Sequence, residues 1–238
     1  GSILIAGGAS SGKTTLLQAL LTLIPPSRRV VSIEDTPEIT TSTGHWDPLV
    51  ERVVSLGEAT SVDMYSLLKF SLRRRADYLV VGEVRGVEAK LLVQASRLGH
   101  GILATIHAES ASSLLERLTS PPIAIPRKLL SNIWCIVIME NDRGVRRVKE
   151  VHEITGNAEL IRIFHYDGAF TPKTPQEVVE KTKRLKNILE PEVLVEELAS
   201  RMVFLDKLVA RGVFTVEALA SELSNYYYTV LEKEVYQA

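Results

Sequence analysis

Gly7, four residues, then Gly12, Lys13 and Thr14 fit the spacing G-x-x-x-x-G-K-[ST]. The match stands between an apolar run and a run of helical period, which is the context this motif requires. Each part has a physical task. Glycine lets the backbone bend tightly, so the N–H groups of the turn through Gly7, Gly8, Ala9, Ser10, Ser11 and Gly12 point inward on an anion. The helix that follows, opening on Lys13, Thr14 and Thr15, adds roughly half a positive charge at its N-terminus. Lys13 reaches the outer phosphates. The Thr14 hydroxyl is a ligand for Mg2+, a hard ion that keeps several waters. The predicted ligand is a nucleoside triphosphate. ATP is the default, and nothing in the loop excludes GTP.

Hydrolysis asks for more, a carboxylate beside the γ-phosphate to position or deprotonate water. Three further stretches offer such groups. In LVVGE, Glu83 closes an apolar strand and is either the base or the acid that holds Mg2+ through water; we favour the base. In SIEDTPEI, Glu34, Asp35 and Glu38 repel one another unless a cation or an arginine sits among them. Glu38 and then Glu34 are the candidates there, for a magnesium–water site or a water-orienting acid. The plainer reading is a solvated turn. In GHGILATIHAES, His107 ends a strand expected beside the phosphate-binding strand, where it would reach the γ-phosphate. His100 is the weaker histidine, and no third ligand stands at a spacing that suits zinc. Arg85 and Arg97 are candidate arginine contacts, while Arg73 to Arg75 fit a surface helix face.

These groups need a scaffold that gathers them. Apolar runs of four to eight residues alternate with helical segments through the first half of the chain. Strands are expected at 2–6, 29–35, 51–56, 78–83 and 101–108. Helices are expected at 13–24, 62–75, 87–99 and 110–118. Strands apolar on both faces imply a buried, mostly parallel sheet, whose ligands collect at the strand carboxyl ends. All four chemical segments fall at such ends. Past residue 132 the texture changes to strands joined by NDRG and TGN, read as antiparallel hairpins. We expect a core over 1–170 and a small helical appendage over 171–238. In the appendage Leu194, Leu198, Met202, Leu205 and Leu208 form one packing stripe, and Leu219, Leu223, Tyr226 and Val230 another.

The whole-chain properties narrow the classes. The 238 residues carry a formal charge of −1, which advertises no nucleic-acid binder. The one cysteine, Cys135, lies in an apolar run, so no internal disulfide forms and a buried small hydrophobe is the plain reading. No apolar run approaches the ~18 residues that span a bilayer. The chain opens almost directly on its first strand, from which we expect that a natural N-terminal part precedes it.

Taken together, GGASSGKTT, IEDTPE, RRRADYLVVGEVRG and GHGILATIHAES resemble the Walker A loop, Asp box, Walker B strand and His box of the type II and type IV secretion ATPases. The likeness is nearest to the archaeal branch that drives pilus and archaellum assembly. It is strong over 2–154 and weaker beyond, although EELASRMVFLDKLVARGV is similar to that branch's C-terminal helices. The resemblance implies a RecA-like core, a homo-hexameric ring and Mg2+-dependent ATP hydrolysis that moves a membrane platform protein. It places the protein in the cytoplasm, held at the inner face of the membrane through partners. It also implies that Glu83 is the Walker B glutamate and that His107 belongs to the His box. Family members carry an N-terminal domain that supplies arginines to the site, and we expect that domain to lie outside these 238 residues. Two competing readings stand beside the motor: a nucleotide-gated subunit with little turnover, and a nucleic-acid translocase on the same core. The translocase would want a basic, aromatic-bearing channel, for which only the hairpin DRGVRRVKE speaks.

Overall fold

One nine-stranded sheet organises the chain in the computed structural model, which describes residues 1–41, 43–52 and 61–236, with side chains to 228. β1 (Ser2–Gly7) leads through the glycine turn into α1 (Lys13–Leu21), and β2 (Val30–Glu34) and β3 (Trp46–Val50) follow. Then come α2 (Met64–Ser71), β4 (Tyr78–Val84), α3 (Glu88–Arg97), β5 (Gly101–His107), α4 (Ala111–Thr119) and the short α5 (Arg127–Leu130). β6 (Cys135–Asp142), β7 (Val145–Thr155), β8 (Glu159–Tyr166) and the two-residue β9 (Phe170–Thr171) complete the sheet. The order across it is β3-β2-β4-β5-β1-β6-β7-β8-β9. The first six strands in that order are parallel, and β7 to β9 are antiparallel. This is the mixed α/β, mostly parallel sheet of a RecA-like core, with the antiparallel strands appended at one edge. β6 is the hinge of that arrangement: parallel to β1 on one side and antiparallel to β7 on the other.

The central strands are buried on both faces because both are covered. Leu4, Ala6, Val31, Ile33, Leu79, Val81, Ile102 and Ala104 face a large cluster built with α2, α3 and α4. Their neighbours Ile5, Val30, Val80 and Leu103 face a second cluster with Leu17 and Leu21 of α1. Alternation along each strand therefore divides the apolar residues between two cores. Each valine, leucine or isoleucine among them, fully buried, contributes roughly 1.5–3 kcal/mol.

Several expectations shift in detail. β3 lies at 46–50, and most of the strand expected at 51–56 falls on residues outside the described ones. Pro48 interrupts the apolar pattern of β3; it is tolerated because β3 is an edge strand that leaves proline no ladder bond to make. Asp63 caps α2 by accepting from the Ser66 amide at 2.8 Å. That helix ends at Ser71, so Arg73 to Arg75 lie beyond it in a turn where Arg75 takes φ +54°, and not on a helix face. Arg74 there pairs with Asp47 at 3.1 Å, as Arg29 does at 2.6 Å. Burial pushes the Cys135 thiol up to about 12, which makes it an inert packing residue.

Beyond β9 the described elements are helical: α6 (Pro175–Lys181), α7 (Pro191–Ala210) and α8 (Val216–Tyr236). Leu194 and Leu208 of the α7 stripe are buried, but Met202 and Leu205 between them stay 45% and 48% exposed, so the stripe packs only at its ends. In α8 Leu223 is buried, and the side chain of Val230 lies outside the described ones. The Tyr227 hydroxyl donates to the Leu23 carbonyl at 2.7 Å, which ties α8 to the turn after α1. The junction is tied again at Glu153, which accepts from the Lys183 amide at 2.9 Å and from the Thr182 hydroxyl.

Candidate functional site

The glycine turn closes on itself. Ser11 Oγ donates to the Gly8 carbonyl at 2.9 Å, and Lys13 Nζ donates to the Gly7 and Gly8 carbonyls at 3.1 and 2.7 Å. Gly12 takes φ +90°, which only glycine adopts freely, and serves as the N-cap of α1. A glycine cap offers no side-chain acceptor, and the first turn of α1 carries no acid. The leading N–H groups of the helix are therefore left for an anion. Gly7 has a steric reason to be glycine: a Cβ there would stand 2.7 Å from the Met139 carbonyl of β6. Burial lowers the Lys13 pKa, and attraction to Glu83 opposes that shift.

Lys13 and Thr14 line a cleft of ≈ 340 Å³ with Glu34, Asp35, Glu38, Gly82, Glu83, Arg85 and Thr105. The cleft lies at the carboxyl ends of β1, β2, β4 and β5, because those four strands are parallel neighbours. The expected convergence is thus present for Glu83, Glu38, Glu34, Lys13 and Thr14. Their contacts set them apart. Glu34 is 3% exposed, and its Oε1 accepts from the Glu38 and Ile39 amides at 2.9 and 2.8 Å. It shapes the acidic turn. Glu38 is exposed on that turn, and among the described residues no donor engages its carboxylate. Glu83 is ion-paired: Arg85 Nη2 stands 2.7 Å from Glu83 and 2.7 Å from Asp35. These two acids, Glu83 foremost, raise the Arg85 pKa. The cation required among clustered carboxylates is therefore Arg85.

A bulge aims Glu83. The β4–β5 register shifts between Val81 and Val84, and Thr105 Oγ1 donates to the Gly82 carbonyl inside the irregular stretch. His107 pairs in register with Gly7 at the end of β5, beside the phosphate turn as expected, and its side chain is exposed. It is not among the residues lining the cleft of Glu83. Arg97 is not brought to the cleft. It sits in the last turn of α3, which runs back from the carboxyl end of β4 towards the start of β5. His100 Nδ1 lies 2.7 Å from the Ala76 carbonyl at that same far edge, a structural contact.

Thr105 and Arg146 escaped the sequence reading. Thr105 stands two residues before His107 and so shares its face of β5, a period-two signal. Arg146 comes from the β6–β7 hairpin. With residues 10–15 it lines a second cavity of ≈ 200 Å³ that shares Lys13 and Thr14 with the first. Nothing local in GVRRVKE distinguishes it from its neighbours. Only the pairing of β6 with β1 brings it over the turn.

The type II/IV secretion system protein family matches residues 1–161, and the chain belongs to that family. A Methanocaldococcus jannaschii protein described as uncharacterized is 39% identical over 220 residues, covering 87% of this chain and 81% of that protein. The type IV secretion system protein PtlH of Bordetella pertussis is 40% identical over 191 residues, covering 72% of this chain and 52% of its own. Among solved structures, the VirB11 ATPase of the Brucella suis type IV secretion system superposes with TM-score 0.54 at 29% identity, over 64% of this chain and 48% of that one. The chain thus spans about half the length of these two secretion proteins.

Proposed function

We propose that the protein is an ATP-hydrolysing motor of a secretion or pilus-assembly system. The carrying observation is that the phosphate turn and four acidic residues, Glu34, Asp35 and Glu38 at the end of β2 and Glu83 on β4, line one cleft at the carboxyl edge of a parallel sheet. In this reading Lys13, Thr14, Thr15 and the turn from Gly7 to Gly12 hold the phosphates. Thr14 and Glu38 offer hard oxygen donors suited to Mg2+, which binds through one or two protein ligands and the substrate's phosphates. That economy agrees with the described residues holding no cluster of three His, Cys, Asp or Glu ligands. When bound, Mg2+ neutralises charge on the β- and γ-phosphate oxygens. Glu83 takes a proton from water as its oxygen attacks the γ-phosphorus. The bond to the bridging oxygen then breaks and ADP leaves with the electron pair. For Glu83 to act, Arg85 has to exchange it for the γ-phosphate, which places a cation on the transferred group.

The finer reading is a homo-hexameric ring, nearest to the archaeal pilus and archaellum motors. ATP turnover in it drives a membrane platform protein from the cytoplasmic face, with an arginine reaching the site from a neighbouring subunit. Residues 1–170 would be the ATPase core and 171–238 a helical appendage. Among the described residues no helix is long and apolar enough to cross a membrane.

One observation favours a second reading, the nucleotide-gated subunit: a base tied to an arginine is a poor base. Comparing turnover of the parent with Glu83→Gln decides between them, since an equally slow parent supports gating. For the motor, Glu83→Gln retains bound ATP unhydrolysed, and Lys13→Ala abolishes nucleotide binding. Near-normal ATP affinity in Lys13→Ala refutes the site.

A further inference from the structure

The backbone beyond the last β4–β5 ladder contact is held by two side chains from outside the cleft. Arg117 lies on α4 within two turns of its start. Its Nη1 donates to the His107 carbonyl at 2.7 Å, and its Nη2 donates to the Arg85 carbonyl at 2.9 Å. On the other side of the same residue, Glu88 Oε1 accepts from the Arg85 and Gly86 amides at 2.5 and 2.6 Å. The main chain at Arg85 is therefore gripped at both its N–H and its C=O. Its side chain meanwhile contacts Glu83 and Asp35. Among the described residues no carboxylate pairs with Arg117, so the fork serves main-chain oxygens.

From this we propose that Arg117 is a positioning residue for the reaction in the cleft, the tie that fixes the strand end carrying Glu83 and Arg85 against the strand end carrying His107. The inference rests on the hydrolytic reading above. The two ends need a tie because the irregular stretch between Val81 and Val84 contains Glu83, and only the Val84–Ile106 pair joins the strands beyond it. Carbonyls past the end of a ladder want a donor. A planar guanidinium meets two of them at once in a fixed geometry, which an ammonium does not. The tie also makes α4 part of the site. Leu114, Leu115 and Leu118 anchor the helix in the core, and a capping box at Ser110 and Ser113 starts it three residues after His107. A displacement of either strand end must then move α4 or strain the fork.

Two measurements on the full chain test the proposal. Arg117→Met keeps the apolar stem and removes the fork. Turnover at saturating ATP is expected to fall about tenfold or more while the ATP Kd stays within about twofold, because a mispositioned base costs rate and the phosphate turn supplies affinity. Arg117→Lys, which reaches one carbonyl, recovers part of the rate. Parental turnover in Arg117→Met overturns the proposal, and so does a Kd weakened by the same factor as the rate, the mark of a packing residue. The second measurement is amide hydrogen exchange at Arg85 and Gly86. Exchange there is expected to quicken in Arg117→Met, and also in Arg117→Lys should the methionine variant not fold. Unchanged exchange overturns the tie. A parent with no Lys13-dependent turnover defeats the hydrolytic reading alone, and the exchange result still judges Arg117.

Discussion

Gly7→Ala and Gly8→Ala differ by one position and should behave oppositely. A Cβ on Gly8 meets nothing within 4 Å. A Cβ on Gly7 meets Ser11 Oγ at 2.5 Å, the Met139 carbonyl at 2.7 Å and Met139 Cβ at 3.0 Å. The serine hydroxyl swings away cheaply, at the loss of its bond to the Gly8 carbonyl. The carbonyl cannot, because Met139 is paired with Gly7 in the β1–β6 ladder. The contact falls about 0.7 Å short of the 3.4 Å at which ordinary packing begins, deep in the repulsive wall. Overpacking of this kind costs roughly 1–3 kcal/mol. In a chain of this size each kcal/mol lowers the melting temperature by about 2–4 °C, so a fall of about 2–12 °C is expected for Gly7→Ala. The relief available is to push the phosphate turn away from β6, which misaims its N–H groups. ATP affinity should therefore drop about tenfold, or 1.4 kcal/mol. Thermal denaturation and nucleotide titration read both quantities, with Gly8→Ala expected near the parent in melting. A Gly7→Ala protein that melts and binds ATP as the parent does would refute the steric account of the turn.

Two further outcomes follow from the charges. Arg146→Ala removes a cation from the cavity that adjoins the turn away from Glu83; it should weaken ATP and ADP by the same factor, about fivefold to tenfold, and a loss confined to ATP in titration would place Arg146 at the γ end instead. Asp47 has its pKa lowered, chiefly by its hydrogen bond from Arg29 with Arg74 adding to it; the stabilisation is present above the unfolded carboxylate pKa and lost as pH falls through the depressed folded one, so Asp47→Asn should lower the melting temperature at pH 7 and match the parent near pH 2, and a pH-independent gap would contradict the assignment.

How far the sequence carried the fold depended on whether a residue's partner was local. The strands at 2–6, 78–83 and 101–108 were legible because burial on both faces leaves a continuous apolar run. The phosphate turn was legible because glycine and lysine spacing encodes a backbone shape. β3 was not, since an edge strand needs only half a pattern and Pro48 erases that. The acidic turn was read as three mutually repelling carboxylates with Glu38 and then Glu34 as candidates; in the fold Glu34 is spent on two amides, Asp35 on Arg85, and Glu38 keeps its oxygens free of described donors. Such division of labour is set by which amides and cations the folded strands deliver, and no spacing rule records it. Arg97 illustrates the opposite error: it is near Glu83 in sequence, but a crossover helix carries its own C-terminus to the far edge of the sheet.

The arrangement around Arg85 then bears on how nucleotide occupancy is felt. The guanidinium is bound by two carboxylates from different strands, Asp35 beyond β2 and Glu83 on β4. Its backbone is fixed by Glu88 and Arg117, so the side chain is the part free to exchange partners. An arriving γ-phosphate offers the same bidentate oxygen geometry with greater charge, and it competes for the fork on equal stereochemical terms. In the hydrolytic reading proposed above, winning that competition would release Glu83 to accept a proton. It would also release Asp35, while Glu34 keeps the acidic turn in place through the Glu38 and Ile39 amides. In that reading, one exchange of ion-pair partners would free Glu83 and set a cation on the transferring group. Loss of the γ-phosphate after hydrolysis would reverse it.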